Sequence, residues 1–305
     1  MSKKIILIAG PTASGKSKLA IEIAKKIKGE IINADSMQVY KEFSILSSRP
    51  SKADLKKIKH HLYGFQNAKN HFSTGTWLKL VKKQINQCLK NKKIPILAGG
   101  TGLYFETITK GMSKIPNIDF RTRNKIRELQ KKIGQKNFYK KLLELDPLVK
   151  NKIEPSDTQR SIRAYEVKEF TKKSIFEWYK LTKSDFKKFE IFKFFINTPR
   201  EKLLKSISKR SKQMFKNDCV REVKNFIKLD IDPSLSANKI IGVQEIKDYL
   251  AGSLNLEQVK ELINIKTRQY AKRQVTWSRG RMSDWKREYS NSLSQLSKKI
   301  LKVIS

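Results

Sequence analysis

The chain has 305 residues, which is enough for one large domain or two smaller ones with an ample core. It carries 67 Lys and Arg against 28 Asp and Glu, and the formal charge of +39 favours a polyanionic partner such as nucleic acid. No run of 18 apolar residues occurs, which excludes a membrane-spanning helix. The two cysteines, Cys88 and Cys219, stand in unrelated contexts without metal-ligand spacing. We therefore expect reduced thiols and a cytoplasmic protein.

The charge alone is weak evidence for RNA or DNA binding, because 53 of the basic residues are lysines and only 14 are arginines. Lysine richness also arises from compositional drift, with the side chains on a solvated surface. The arginines are more informative, since they cluster at 121–127, 160–163 and 268–287. A guanidinium group can donate two parallel hydrogen bonds to one phosphate, so these clusters indicate retained binding roles.

The first predicted elements are a strand at 4–9, a glycine-rich loop at 10–17 and a helix at 18–27. The loop matches the pattern G-x-x-x-x-G-K-[ST], whose N–H groups wrap a diphosphate or triphosphate at a helix N-terminus. In it, Lys16 adds a positive charge and the hydroxyl of Ser17 can ligate Mg²⁺. The alternative, a glycine-rich turn without a ligand, is disfavoured by this strand-loop-helix context. The predicted phosphate-binding residues are Gly10, Pro11, Thr12, Ala13, Ser14, Gly15, Lys16 and Ser17.

A second buried strand is predicted at 30–35, and it ends in the carboxylate of Asp35. Ligands of open α/β sheets bind at the carboxyl ends of the strands. A carboxylate at that place can hold Mg²⁺ or accept a proton from an incoming nucleophile. The alternative role for Asp35 is the N-cap of the next turn.

Residues 41–76 show no regular pattern, and adjacent His60 and His61 would point to opposite faces of an extended segment. That is poor metal geometry, so we interpret both histidines as structural. A helix is predicted at 77–89 and a buried strand at 93–98, followed by two glycines and Thr101. No Asp closes this strand, which argues against a hydrolytic ATPase. The hydroxyl of Thr101 would face the site, or would cap the following helix.

Short, charged, helix-like segments follow at 119–190, and we interpret them as an inserted helical lid. Within the lid, Arg160 and Arg163 lie three residues apart on one helix face, an arrangement suited to phosphates or to surface ion pairs. A strand at 188–197 returns to the sheet. The predicted fold class is therefore α/β, with a P-loop NTPase-like core of parallel sheet and flanking helices at 1–118 and 191–305, and a lid at 119–190.

Five motifs together resemble the tRNA dimethylallyltransferases, which prenylate an adenine beside the anticodon. They are GPTASGKS at 10–17, an Asp-Ser-x-Gln-Val-Tyr element at 35–40, Gly-Gly-Thr-x-Leu-Tyr at 99–104, Gln159-Arg160 with Arg163, and TRQYAKRQVTW at 267–277. They occur in the family's order and extend over nearly the whole chain. The chain departs from the family at two places. Segment 41–50 lacks the glycines that are usual there, and Ser206 stands where an arginine is frequent.

The resemblance implies dimethylallyl diphosphate as donor, Mg²⁺ as ion and the anticodon stem-loop of tRNA as partner, and we expect a monomer. It implies that residues 10–17 hold the diphosphate, with Ser17 on the metal. It also implies that Asp35 is the base that takes a proton from the exocyclic N6 amine of adenine, and that Thr101 helps to position the reactants. Segment 239–244 is a weaker RNA-contact candidate. The implied tRNA contacts are Asp35, Ser36, Met37, Gln38, Thr101, Arg123, Gln159, Arg160, Ser161, Ile162 and Arg163.

Two other hypotheses stay open from the residues alone. The phosphate loop and Asp35 would also suit a kinase that transfers phosphate from ATP to a small molecule or nucleoside. A non-catalytic RNA-binding protein would explain the charge and leave the loop without chemistry.

Overall fold

The central feature of the computed structural model, which describes residues 3–289 and 292–304, is a sheet of parallel strands. The strand order is β3-β2-β4-β1-β5-β6, so the first strand lies inside the sheet between β4 and β5. The predicted α/β class is confirmed. The strands are β1 (Lys4–Ala9), β2 (Gly29–Asn33), β3 (His60–His61), β4 (Ile94–Gly99), β5 (Glu190–Ile196) and β6 (Lys286–Glu288).

Helices connect and cover these strands, and none that the structure describes is long and apolar enough to cross a membrane. Several begin at side-chain caps, such as Ser73 before α3 and Asn255 before α11. The helices are α1 (Lys16–Lys26), α2 (Lys52–Lys57), α3 (Thr74–Lys90), α4 (Gly102–Thr109), α5 (Phe120–Leu145), α6 (Thr158–Thr171), α7 (Ile175–Lys180), α8 (Arg200–Lys216), α9 (Cys219–Ile227), α10 (Val243–Leu250), α11 (Leu256–Arg281) and α12 (Leu293–Ile304).

Burial explains why the strands read as continuous apolar runs in the sequence. All five residues from Ile5 to Ala9 are buried, because both faces of a parallel sheet are covered. Ile6 and Ile8 pack in one cluster with residues of α1 and α12, including Leu19 and Ile300. The core therefore holds the carboxyl ends of β1, β2 and β4 in a rigid frame.

The chain divides into two compact units, Met1–Ile108 with Lys187–Ser305, and Thr109–Phe186. We refer to the first as the core unit and to the second as the lid unit. The lid unit begins ten residues before the predicted boundary at 119 and ends four residues before the one at 190. Its two ends are joined within the unit: the hydroxyls of Ser113 and Thr182 lie 2.6 Å apart. A contact between segments far apart in the sequence leaves no periodic pattern in either segment. The helical pattern therefore indicates the interior of the insertion and not its ends.

The lid unit has a hydrophobic cluster of its own, in which residues of α5 and α6 pack together. Leu142 and Val167 are fully buried there. α5 is interrupted at Gly134, whose φ of 73° leaves the helical region that other residues prefer. The insertion is thus a folded helical body and not a long loop.

Candidate active site

The phosphate loop connects β1 to α1 with the geometry that an anion site requires. Gly15 has φ of 86° at the helix start, a conformation that side chains disfavour, and Lys16 follows as the first helical residue. The first N–H groups of a helix have no intrahelical acceptor, so they present positive charge to a ligand. The hydroxyl oxygen of Ser14 is buried without a hydrogen-bond partner among the described residues, which fits a ligand at this place.

Lys16 is buried, and its Nζ donates to the carbonyl oxygen of Pro11 at 3.1 Å. Burial lowers the pKa of this ammonium to about 8, with the carboxylate of Asp35 acting in the opposite direction and the guanidinium of Arg210 adding to the decrease. The amine is therefore a desolvated charge close to Asp35 and Arg210. Ser17, the next residue, is exposed in the first turn of α1.

Asp35 follows the end of β2, and a side-chain hydrogen-bond network fixes its backbone. Its N–H donates to Asn33 Oδ1 at 2.8 Å, and Asn33 Nδ2 donates to the Asp35 carbonyl at 2.9 Å. The Met37 N–H donates to Asp35 Oδ1 at 3.0 Å. The second carboxylate oxygen is left for other partners on a half-buried side chain.

β2 and β1 are not neighbours, because β4 lies between them. The turn after β4 therefore separates the phosphate loop from Asp35. Its glycines permit close packing: a Cβ at Gly99 would collide with the carbonyl of Ala34, and one at Gly100 would lie 3.5 Å from Asp35 Oδ2. The turn packs against the residue before Asp35 only because Gly99 carries no side chain.

Thr101 joins this turn to the segment after Asp35. Its Oγ1 accepts the N–H of Ser36 at 2.9 Å and donates to Ser36 Oγ at 3.2 Å. Its own N–H donates to the Ala34 carbonyl at 3.1 Å. The Tyr104 N–H donates to the backbone carbonyl of Thr101 and not to its hydroxyl. The side chain therefore contacts the segment after Asp35 and does not cap α4.

Three residues of this site were not identified from the sequence. Arg210 on α8 donates from Nη1 to Thr12 Oγ1 at 2.8 Å, and burial lowers its pKa while Asp35 raises it. Burial raises the pKa of the Tyr270 phenol on α11, and nearby Thr101 and Gln274 act in the opposite direction. Tyr270 lies in the motif at 267–277, but the motif does not show which side of α11 faces the loops.

Gln274 is the third such residue, and its amide joins two loops. Its Oε1 accepts the Thr12 N–H at 2.8 Å and its Nε2 donates to the Gly100 carbonyl at 2.9 Å. By contrast, three cations of the same 267–277 motif, Arg268, Lys272 and Arg273, are exposed.

A cavity of about 220 Å³ adjoins these loops in the core unit. Its wall is mixed, with backbone of the phosphate loop and the β4 turn on one part and apolar side chains on the rest. The ring of Trp277 occupies the space that a Cβ at Gly102 would need. The lining residues are Ala9, Gly10, Ser36, Gly100, Thr101, Gly102, Leu103, Phe105, Phe195, Tyr270, Arg273, Gln274, Trp277, Ser278 and Met282.

The other residues of the 35–40 element have structural partners. Gln38 Nε2 donates to the carbonyls of Ser47 and Ser48 at 2.9 and 3.0 Å, which holds the divergent 41–50 stretch. Met37 is half-buried and packs against the cluster that α9, α10 and α11 form with residues 39–46. The weaker candidate segment 239–244 contributes Ile240 and Val243 to that same cluster.

Inside the lid unit, two of the predicted RNA-contact residues are strongly exposed. Gln159 is exposed, and Arg160 is exposed while paired with the α6 N-cap Asp157 at 2.8 Å. Arg163 is half-buried and pairs with the buried Glu166 at 3.2 Å. Ser161 is fully buried and donates its hydroxyl to the Asp157 carbonyl at 2.8 Å.

The remaining two predicted RNA-contact residues of the lid unit are partly buried. Ile162 is half-buried on α6, and Arg123 is half-buried on α5 with an Nε that has no hydrogen-bond partner among the described residues.

The histidine pair has a structural setting at the edge of the sheet. His61 Nε2 lies 2.6 Å from Glu30 Oε2, and Cys88 Sγ donates to the same oxygen at 3.5 Å. Burial and the Glu30 carboxylate raise the pKa of the Cys88 thiol to about 12. These three groups satisfy one another within the core.

A parallel sheet with a phosphate loop after an interior strand, a buried lysine and an aspartate at the next strand end defines a P-loop kinase-like α/β protein. The family model described as IPP transferase matches residues 38–281. The chain therefore belongs to the tRNA dimethylallyltransferase family, also called the IPP transferases.

Relatives and solved structures agree with this assignment. The tRNA dimethylallyltransferase of Pelagibacter ubique is 56% identical over 282 residues, covering 92% of this chain and 90% of the relative. That of Rickettsia felis is 44% identical over 294 residues, covering 95% and 94%. A eukaryotic dimethylallyltransferase acting on tRNA superposes with a TM-score of 0.83 at 28% identity, covering 96% of this chain and 75% of that one. The Bacillus halodurans tRNA isopentenylpyrophosphate transferase gives 0.70 at 27%, covering 99% and 94%.

Proposed function

We propose that this protein transfers a dimethylallyl group from dimethylallyl diphosphate to the exocyclic N6 of the adenine adjacent to the anticodon in tRNA. The observation that carries the proposal is the juxtaposition of a buried cationic phosphate loop with the carboxylate of Asp35. The family membership selects this reaction over phosphate transfer from ATP.

The donor end of the site is suited to a leaving diphosphate. The bond between C1 of the allyl group and the diphosphate oxygen breaks, and the electron pair departs with the diphosphate. Lys16, Arg210 and the first N–H groups of α1 carry positive charge at the place where this negative charge grows. Preorganised charges of this kind stabilise the transition state more than the ground state.

The acceptor end requires a base, because the adenine amine shares its lone pair with the ring. As the N6–C1 bond forms, the amine proton passes to the free carboxylate oxygen of Asp35. The hydrogen bond from Met37 holds the other oxygen and so orients the carboxylate. Thr101, through its two hydrogen bonds with Ser36, fixes the wall beside it.

Mg²⁺ fits the donor set that the loop offers. Ser17 supplies an exposed hydroxyl directly after Lys16, and hard oxygen ligands of this type suit Mg²⁺. Bound there with diphosphate oxygens and water, the ion would add positive charge against the leaving group.

The RNA partner is supported by the charge of +39 and by exposed cations on both units. The target base must leave the stack of the anticodon loop to meet the donor, as in other enzymes that act on a base. Arg160 and Gln159 of the lid unit, with Arg123, Ser161, Ile162 and Arg163, remain proposed RNA contacts, and Arg160 is the most exposed arginine among them.

The test is incubation of the purified protein with bulk tRNA, Mg²⁺ and labelled dimethylallyl diphosphate, followed by nucleoside analysis. We expect label in a single modified adenosine and release of diphosphate. Thermal protection by ATP, with none by dimethylallyl diphosphate and no labelled nucleoside, would instead support the kinase hypothesis.

A further inference from the structure

The amide of Gln274 on α11 connects two loops that belong to opposite ends of the proposed reaction. Its Oε1 accepts the N–H of Thr12 in the phosphate loop, and its Nε2 donates to the carbonyl of Gly100 in the β4 turn. The bonds are 2.8 and 2.9 Å long, and the partners lie 262 and 174 residues away in sequence. One side chain therefore bridges two loops whose strands are adjacent in the sheet, beyond the point where the strand pairing ends.

Gly100 transmits this restraint toward the proposed base. A Cβ at Gly100 would collide with Gln274 Nε2 and would lie 3.5 Å from Asp35 Oδ2, so the amide and the carboxylate are near the same side of this residue. The next residue, Thr101, is hydrogen-bonded to Ala34 and Ser36, the two neighbours of Asp35. A shift of the Gly100 carbonyl would move the wall against which Asp35 stands.

Tyr270 supports the same restraint from one helical turn earlier. Its side chain lies near those of Gln274 and Thr101, and residues four apart lie on one face of a helix. The Trp277 ring, further along that face, fills the space above Gly102. This face of α11 therefore lies against Gly100 and Gly102 of the β4 turn, and Gln274 adds a hydrogen bond to the phosphate loop.

We propose that Gln274 is a positioning residue that sets the distance between the diphosphate cradle and Asp35. This inference rests on the proposed function. A neutral amide is required, since it offers an acceptor and a donor at the end of one side chain. A glutamate would keep the acceptor for Thr12, would lose the donor for Gly100 and would place a negative charge beside the diphosphate.

The motif alone offers every N–H of the phosphate loop to the diphosphate. In the structure the N–H of Thr12 is already bound to Gln274. Because Gln274 takes that N–H, the diphosphate meets the later donors of the loop and the helix start. Gln274 thereby directs the leaving group toward Lys16, which is the first residue of α1.

The test compares Q274M, Q274E and the control Q269E, in which an exposed glutamine of the same helix is changed. Steady-state kinetics with dimethylallyl diphosphate and tRNA are normalised to folded protein. For Q274M we expect kcat to fall about 100-fold, the loss that accompanies a displacement near 1 Å between reacting groups. The KM for tRNA should stay within about two-fold of the wild type, and Q274E should also raise the KM for the donor.

The outcomes separate this inference from the proposed function. If wild-type protein forms no prenylated adenosine, the proposed function fails. If wild type is active and Q274M keeps its kcat, the positioning role is overturned, whatever Q274E does. If Q274M has a lower unfolding midpoint and recovers its kcat when it is assayed at lower temperature, Gln274 has a merely structural role. That result would also overturn the positioning role.

Discussion

The site loops of the core unit and the exposed face of α6 that carries Gln159 and Arg160 (the lid face) use polar side chains in opposite ways. In the core unit, Asn33, Thr101 and Gln274 spend nearly all their hydrogen-bonding capacity on backbone groups of neighbouring loops. In the lid unit, the ion pair that the structure describes for Arg160 is with its own helix cap, and the side chain is largely exposed. The first arrangement restrains the distances between loops, and the second leaves a cation available to a phosphate.

The two arrangements suit two different physical tasks. A bond-making step tolerates little displacement, so its groups are restrained from several sides. Electrostatic attraction to a polyanion tolerates motion, and exposed cations serve it at little conformational cost. We therefore expect substitutions in the core unit to affect turnover and substitutions on the lid face to affect RNA affinity.

Asp35→Asn should have the largest effect. The amide keeps an acceptor for the Met37 N–H and removes the base, so transfer should fall by about 10²–10⁴-fold. Filter binding should give a tRNA affinity within a few-fold of the wild type, because the substitution leaves the basic surfaces unchanged. Normal turnover in this variant would exclude Asp35 as the base.

Lys16→Met should weaken diphosphate binding and remove its pH dependence. In the free protein the pKa of Lys16 is lowered to about 8, so above that pH the ammonium loses its proton and its charge. The affinity of wild type for dimethylallyl diphosphate, which is fully ionised at these pH values, should therefore fall as pH rises from 8 to 9.5, by about tenfold per unit where the charge is required. Calorimetric titration measures it, with exposed Lys18→Met as the control. A wild-type affinity constant across this range would contradict the assignment.

The positions of Gly10, Lys16, Asp35 and Thr101 could be predicted because each belongs to a short motif at a strand end, and all parallel strands end at one edge. Arg210 and Gln274 could not be predicted in this way. They reach the site from α8 and α11, and nothing local in their sequence reports which face of a helix meets a distant loop. The order of the strands was equally invisible, so the position of the Thr101 turn between Asp35 and the phosphate loop emerged only from the fold.

Glu222→Ala should destabilise the protein by about 2 kcal/mol, since charge-assisted hydrogen bonds to backbone are lost. The Glu222 carboxylate accepts the N–H groups of Ser44, Ile45 and Leu46 at 2.6 to 2.9 Å. It thus anchors the stretch at 41–50 that lacks the glycines usual in the family. Urea unfolding gives the free energy, and Glu261→Ala, exposed on α11, should change it by less than about 0.5 kcal/mol. Equal stability of the two variants would show that the stretch is held by its apolar contacts alone.

Arg160→Gln should have the smallest effect and is the most direct test of the lid face. An exposed ion pair such as Arg160 with Asp157 contributes about 0.2–1 kcal/mol, so the unfolding midpoint should barely move. If the guanidinium contacts a tRNA phosphate, affinity should fall a few-fold and the slope of log K against log salt should decrease by about one. Arg163→Gln is the matched variant, because it removes the nearer of two cations paired with the buried Glu166 and so should lower stability as well. An unchanged salt slope in Arg160→Gln, beside a lower stability in Arg163→Gln, would mean that this helix face is built for folding alone and that RNA is held elsewhere.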